Sequence, residues 1–309
     1  MHERRERKIL GMSAVLLPFG ETGDIDWIGF SALLNNTVAA GLVPAVNMDT
    51  GFGPVLSPDQ KAEVLALVGR LGVPFLAGAH CPDLPGSRFA LDVYRGAFDC
   101  IVEAGGTPIV FPSHGLGALG DDEVVDAHAA LGRDVDGYYG FELGSMFHPA
   151  GRIYSLDVFA GLLDEPKLVG LKHSSLDRSL EWERLAARDE RRPDFRLLTG
   201  NDLAIDMVRW GSDYLLGLST FAPEAFAARD AAWAEGEDAR FHALNDVLQY
   251  LGFLTFRPPV PGYRHAAAMF LKIRGRIACD ETHPDSPTRP ASDRDLLADV
   301  ARRLDALGV

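Results

Sequence analysis

The chain has 309 residues, 47% of them hydrophobic, enough for one core of barrel size or two ordinary ones. A formal net charge of −14 argues against nucleic acid or an anionic membrane as the main partner. No apolar run approaches transmembrane length, and the charged start MHERRERKIL does not read as a secretory signal; three cysteines without metal-type spacing fit a reduced, cytoplasmic setting.

Short apolar runs alternate with amphipathic stretches along the chain. SAVLLPF (13–19) reads as a strand, and DWIGFSALLNNTVAAG, from Asp26, as a helix. VPAVNM (43–48) is followed by a helix that Ser57 caps and Pro58 opens. PFLAGAH (74–80) precedes a helix over about 87–104, and TPIVFPS (107–113) one from about Asp121. GYYGFEL (137–143) precedes SLDVFAGLL, and LVGLKHS (168–174) a helix near Ser179. RLLTGND (196–202) precedes LAIDMVRW, and YLLGLST (214–220) a helix from Pro223. These strands are rich in Val, Ile, Leu and Phe with little polar alternation, which suits a parallel sheet covered on both faces.

Eight such strand–helix units predict a (β/α)8 TIM barrel over residues 1–236, with three further helices as a C-terminal extension over 237–309. A doubly wound open sheet is the competing architecture, but no Gly-rich dinucleotide fingerprint follows the first strand. A barrel gathers its chemistry at the C-terminal ends of its strands. In chain order those ends carry Asp49 and Thr50, His80, Ser113 and His114, Glu142, Lys172 and His173, Asn201 and Asp202, and Ser219 and Thr220.

Lys172 stands out in that ring. The chain has only five lysines among its 30 basic residues, so arginine is its default cation. An amine can lose its proton and attack a carbonyl, whereas a guanidinium cannot. Taken out of water, a lysine becomes a nucleophile toward a ketone or aldehyde, and the resulting iminium is an electron sink for breaking a C–C or C–O bond nearby.

The order of these segments resembles the dihydrodipicolinate synthase / N-acetylneuraminate lyase family. LVGLKHSS is similar to that family's Schiff-base strand, and NMDTGFGPVLSPDQKAEVL to its Gly-Thr-Thr-Gly-Glu segment and following helix. LLTGND resembles its Ser/Thr-Gly-Asp-Asp turn, GSDYLLGLSTFAPEAF its Gly-Ala-Asp segment, and PPVPGYRHAAAMFLKIRG its Asn-Pro-X-Pro helix start. The resemblance implies a class I lyase, an aldolase or dehydratase, acting on a small 2-oxo acid or related carbonyl compound. It also implies a homotetramer or homodimer and no cofactor, because the iminium serves as the electron sink.

Carried over residue by residue, Lys172 takes the Schiff-base role and Thr50 the contact to a substrate carboxylate, while Asp49 replaces a threonine. The family's proton-carrying tyrosine after strand five is missing. A two-residue loop insertion puts Glu142 in its place, either as a replacement acid–base or as a sign of different chemistry. Glu142 is therefore expected beside Lys172, with Asp49, Thr50, His114, Asn201 and Ser219 around the substrate. Two other readings stay open. One is a divalent-metal site drawn from Asp49, His80, His114, Glu142, His173 and Asp202, although no HxH or HExxH spacing occurs. The other is a barrel that binds a small molecule without catalysis.

Overall fold

The computed structural model describes residues 2–5 and 7–309. Eight parallel strands close into a barrel in sequential order: β1 (Gly11–Ala14), β2 (Val43–Val46), β3 (Leu76–Ala79), β4 (Thr107–Val110), β5 (Tyr138–Leu143), β6 (Leu168–Ser174), β7 (Arg196–Thr199) and β8 (Asp213–Leu216). The layer outside holds α1 (Trp27–Ala39), α2 (Pro58–Gly69), α3 (Leu91–Glu103), the one-turn α4 (His114–Gly117), α5 (Asp121–Leu131), α6 (Leu156–Leu163), α7 (Arg178–Arg191) and α8 (Pro223–Ala234). Then follow α9 (Asp238–Thr255), α10 (Tyr263–Ile273) and α11 (Asp293–Ala306). Among the described residues no helix is long and apolar enough to cross a membrane.

Local chemistry sets the helix starts. Ser57 and Gln60 exchange side-chain and backbone hydrogen bonds at the start of α2, with Pro58 just inside it. Asp26 accepts from Gly29 N at α1, and Ser155 from Val158 N at α6. Two expectations shift. The first strand ends at Ala14, because Leu16 N turns away to Thr220 Oγ1 and Pro18 has no N–H to offer a ladder. LAIDMVRW forms a 3-10 helix at Ile205–Trp210, stopped by Gly211 at φ 113°, because the short link between β7 and β8 leaves no room for a multi-turn α-helix.

The apolar core lies in two layers. Met12, Ala14, Ala45, Leu76, Ile109, Phe111, Phe141, Leu143, Leu198 and Leu215 pack inside the barrel, and a larger cluster fills the space between strands and helices. Alternation along each strand assigns its residues to one layer or the other. In the β5–β6–β7 register Phe141 lies opposite Lys172, and Lys172 opposite Leu198. Phe141 and Leu198 belong to the interior cluster, so Lys172 also points inward. The next row, Glu142, His173 and Thr199, points outward to α7.

This register overturns the expected contact between Glu142 and Lys172. Glu142 is fully buried outside the barrel, where Arg184 of α7 grips it with two 2.7 Å hydrogen bonds. His173 Nδ1 lies 3.2 Å from its Oε1, and Tyr154 N donates to its Oε2 at 2.9 Å. Burial pushes the Glu142 carboxyl up, but His173 and Arg184 outweigh it and hold the group below its ordinary range. A carboxylate so held is a structural anion.

Arg184→Ala would leave that buried carboxylate without its main partner and should cost about 3–5 kcal/mol. Replacing both partners, as in Glu142→Leu with Arg184→Met, should cost less than the single change, since no charge is then stranded. Urea unfolding of the three proteins checks this; a single variant as stable as the parent would remove the pair from the fold's support.

Candidate active site

Lys172 sits two-thirds along β6 with its side chain 9% exposed. Among the described residues its Nζ makes no hydrogen bond or ion pair; instead it lies 4.3 Å from the centre of the Phe141 ring. Its stem passes over the end of β7, where Gly200 makes room. A Cβ on Gly200 would lie 2.7 Å from Lys172 Cε and closer still to Ser174 Oγ. Burial pushes the ammonium down to about 8, against the opposing pull of Asp202 and Asp49.

A cavity of about 30 Å³ opens above Lys172, lined among others by Asp49, Thr50, Phe141, Ser174, Asp202 and Tyr263. Asp202 is buried and accepts from Leu218 N at 2.7 Å. Burial pushes its carboxyl up to about 7, against that hydrogen bond and the Lys172 charge. The carboxyl can thus donate or accept a proton near neutral pH. Ser174 lies two residues beyond Lys172 on the same strand face, and its buried Oγ has no hydrogen-bond partner among the described residues. A hydroxyl left unpaired beside a cavity is ready for a bound molecule.

The β2–α2 turn brings Asp49 and Thr50 to this cavity, as the sequence implies. Their side chains meet Tyr263, the first residue of α10: its hydroxyl lies 2.8 Å from Thr50 Oγ1 and donates to Asp49 Oδ2 at 3.0 Å. Asp49 also meets Arg264, whose Nη1 is 3.4 Å from Oδ1 and 3.2 Å from the backbone oxygen.

Three other expected substrate contacts are corrected. Asn201 is buried in its own turn, where Oδ1 accepts from Leu203 N. Ser219 donates to Leu216 O and is not among the residues lining the cavity. The serine hydroxyl and the asparagine amide oxygen are taken up by nearby backbone, the usual competition for short polar side chains. His114 starts α4 and lines a separate cleft of about 400 Å³ with Lys61, His80, Asp83 and His148. Phe111 stands between that cleft and the lysine, its ring 4.3 Å from His80 and 5.2 Å from Phe141.

The six candidate metal ligands do not converge. Glu142 and His173 face α7, Asp49 and Asp202 face Lys172, and His80 and His114 face the second cleft. Among the described residues no three His, Cys, Asp or Glu side chains form a set that could hold a metal ion. The sequence reading placed Asp202 on the rim without a role at the lysine, and it missed Ser174 and Tyr263. The signal for Ser174 was its period-2 relation to Lys172. Tyr263 had none, because α10 reaches the rim only through tertiary packing.

Several solved structures share the whole architecture of this chain. The protein has the fold of dihydrodipicolinate synthases. A monomeric dihydrodipicolinate synthase variant is 16% identical, with 96% of this chain and 97% of that one covered and a TM-score of 0.82. A prophage protein of the dihydrodipicolinic acid synthase family from E. coli K12, in complex with pyruvate, is 15% identical over 96% and 98% of the two chains, with a TM-score of 0.79. A sialic acid aldolase from Ruminococcus gnavus is 15% identical over 98% and 99%, with a TM-score of 0.80. No family model and no curated protein sequence matches the chain. The synthase fold thus persists here at 15–16% identity.

The depressed Lys172 amine makes a prediction that needs no substrate. Competitive labelling with acetic anhydride, read by mass spectrometry, should show Lys172 half-reactive near pH 8. An ordinary lysine titrates at about 10.4. The neutral amine is the reactive form, so reactivity should rise with pH through that value. A midpoint above pH 10 would mean that burial does not tune the amine.

Proposed function

We propose that the protein is a lyase of the class I type, which makes or breaks a bond next to a carbonyl through a Schiff base on Lys172. The observation that carries this reading is a lysine inside the barrel with no anion bonded to it among the described residues, its amine pushed down to about 8, beside a cavity lined by hydroxyl groups. A structural lysine would be paired or would reach solvent.

The residues divide the work. Neutral Lys172 attacks the carbonyl carbon, and Asp202, with its carboxyl pushed up to about 7, protonates the departing carbinolamine oxygen as water leaves. The iminium then withdraws electrons from the adjacent bond. Thr50 and Ser174 hold polar groups of the substrate through their hydroxyls, and Phe141 keeps the ammonium face dry. The substrate class proposed is a small 2-oxo acid or related carbonyl compound. Pyruvate in the E. coli relative supports this choice, as does the fold shared with a sialic acid aldolase. A homodimer or homotetramer in the cytoplasm belongs to the same proposal.

Borohydride added with pyruvate should place a stable mass increment on Lys172, and Lys172→Ala should lose it while remaining folded. Activity toward oxo acids that survives in Lys172→Ala would sink the Schiff-base reading. Absence of any adduct, with unlabelled pyruvate bound tightly, would favour a barrel that binds without catalysis.

A further inference from the structure

Strand β5, beside the lysine, presents no proton carrier to the cavity. β5 turns Phe141 and Leu143 toward the cavity, and Glu142 is locked to Arg184 on the far side of the sheet. Among the described residues one phenol lines the cavity, and it comes from α10. The Tyr263 hydroxyl donates to Asp49 Oδ2 at 3.0 Å, so at 2.8 Å from Thr50 Oγ1 it accepts the threonine proton. This is a directed chain of hydrogen bonds that ends on a carboxylate.

Packing fixes the phenol. Its ring stacks on Phe256 with centroids 4.3 Å apart and planes 15° apart. It also leans on Gly217, where a Cβ would come within 3.0 Å of Tyr263 Cε2 and of Thr50 Oγ1. Arg264, the next residue of α10, gives the Asp49 carboxylate a cationic partner. Burial, and then the charge of Asp49, hold the phenol well above its ordinary range, so it stays a neutral relay.

We propose that Tyr263 is the catalytic acid–base residue of the Lys172 site, with Asp49 behind it as the store of the proton. The proposal rests on the Lys172 imine. In the cleavage direction, the proton of the substrate's β-hydroxyl passes to the Tyr263 oxygen while the Tyr263 proton passes to Asp49. The C–C bond breaks, the leaving fragment gains its C=O, and the bonding pair becomes the enamine on Lys172. Asp49 then returns its proton through Tyr263 to the enamine carbon, which restores the iminium. Water hydrolyses that iminium, and Tyr263 and Asp49 end as they began. A relay of this kind is worth about 10²–10⁴ in rate.

The test uses the full chain with pyruvate, or with hydroxyacetone if that compound traps better, and reads two quantities. Borohydride trapping reports imine formation; exchange of the ligand's α-hydrogens in D₂O, followed by proton NMR, reports proton transfer at carbon. Tyr263→Phe and Asp49→Asn should still be trapped at Lys172, which also shows that the site is folded. Their exchange should fall by about a hundredfold or more relative to the parent. Trapping with parental exchange in Tyr263→Phe would overturn the proposal and leave the Lys172 reading intact. A parent that forms no adduct with either compound would overturn both.

Discussion

The β5–β6 register decides which side chains meet the lysine. Pairing runs from Tyr138 opposite Leu168 to Tyr139 opposite Gly170, so Val169 is an extra residue on β6. That offset sets Phe141, not Glu142, opposite Lys172. Side chains alternate across a strand, so a shift of one residue exchanges the two faces entirely. Inside the barrel it produces a lysine over an aromatic ring; outside, it produces a buried carboxylate between Arg184 and His173. The two outcomes support each other. The outer ion pair ties α7 to β5, and His173, the residue next to Lys172, is bonded to both Glu142 and Ser175.

The electrostatics of the interior follow from that arrangement. Had Glu142 pointed inward, a direct carboxylate partner would hold Lys172 as an ammonium. Instead the anions near it, Asp202 and Asp49, act through space, and burial outweighs them. Asp202 responds in the opposite sense, its carboxyl raised while the amine is lowered. The two shifts move an acid and a base toward one range from opposite ends. The glycines at the ends of β7 and β8 supply the space: Gly200 admits the lysine stem, and Gly217 admits the Tyr263 ring.

How far the sequence disclosed this site depends on the distance over which each residue's role is set. The barrel was legible because eight apolar strands and their caps are local signals, and the place of Lys172 at the cavity was legible because it lies in the C-terminal half of one of them. Asp49 and Thr50 followed from the turn after β2. Glu142 was misplaced because its face depends on a bulge that leaves no mark in composition. His114, Asn201 and Ser219 sit at strand ends as expected, yet the Ser219 hydroxyl and the Asn201 amide oxygen bond to neighbouring backbone and His114 faces another cleft. Rim position alone therefore overstates a polar residue's part in binding, because short side chains find partners within their own turn first.

Tyr263 shows the converse. Nothing near it in sequence marks it as part of a site, since its neighbours Arg264 and Pro261 read as an ordinary helix start. Its place is set by a contact spanning more than 200 residues, from α10 back to the turn after β2. A hydroxyl needed at one point in a cavity can come from any element that reaches it, because hydrogen-bond geometry constrains position and direction and not the chain that supplies them. A strand need not supply that hydroxyl: β5 turns only the apolar Phe141 and Leu143 to the cavity. A fold shared at 15% identity with the Ruminococcus gnavus aldolase is compatible with that kind of exchange, since the barrel fixes where strand ends lie and leaves open which of them carry the chemistry.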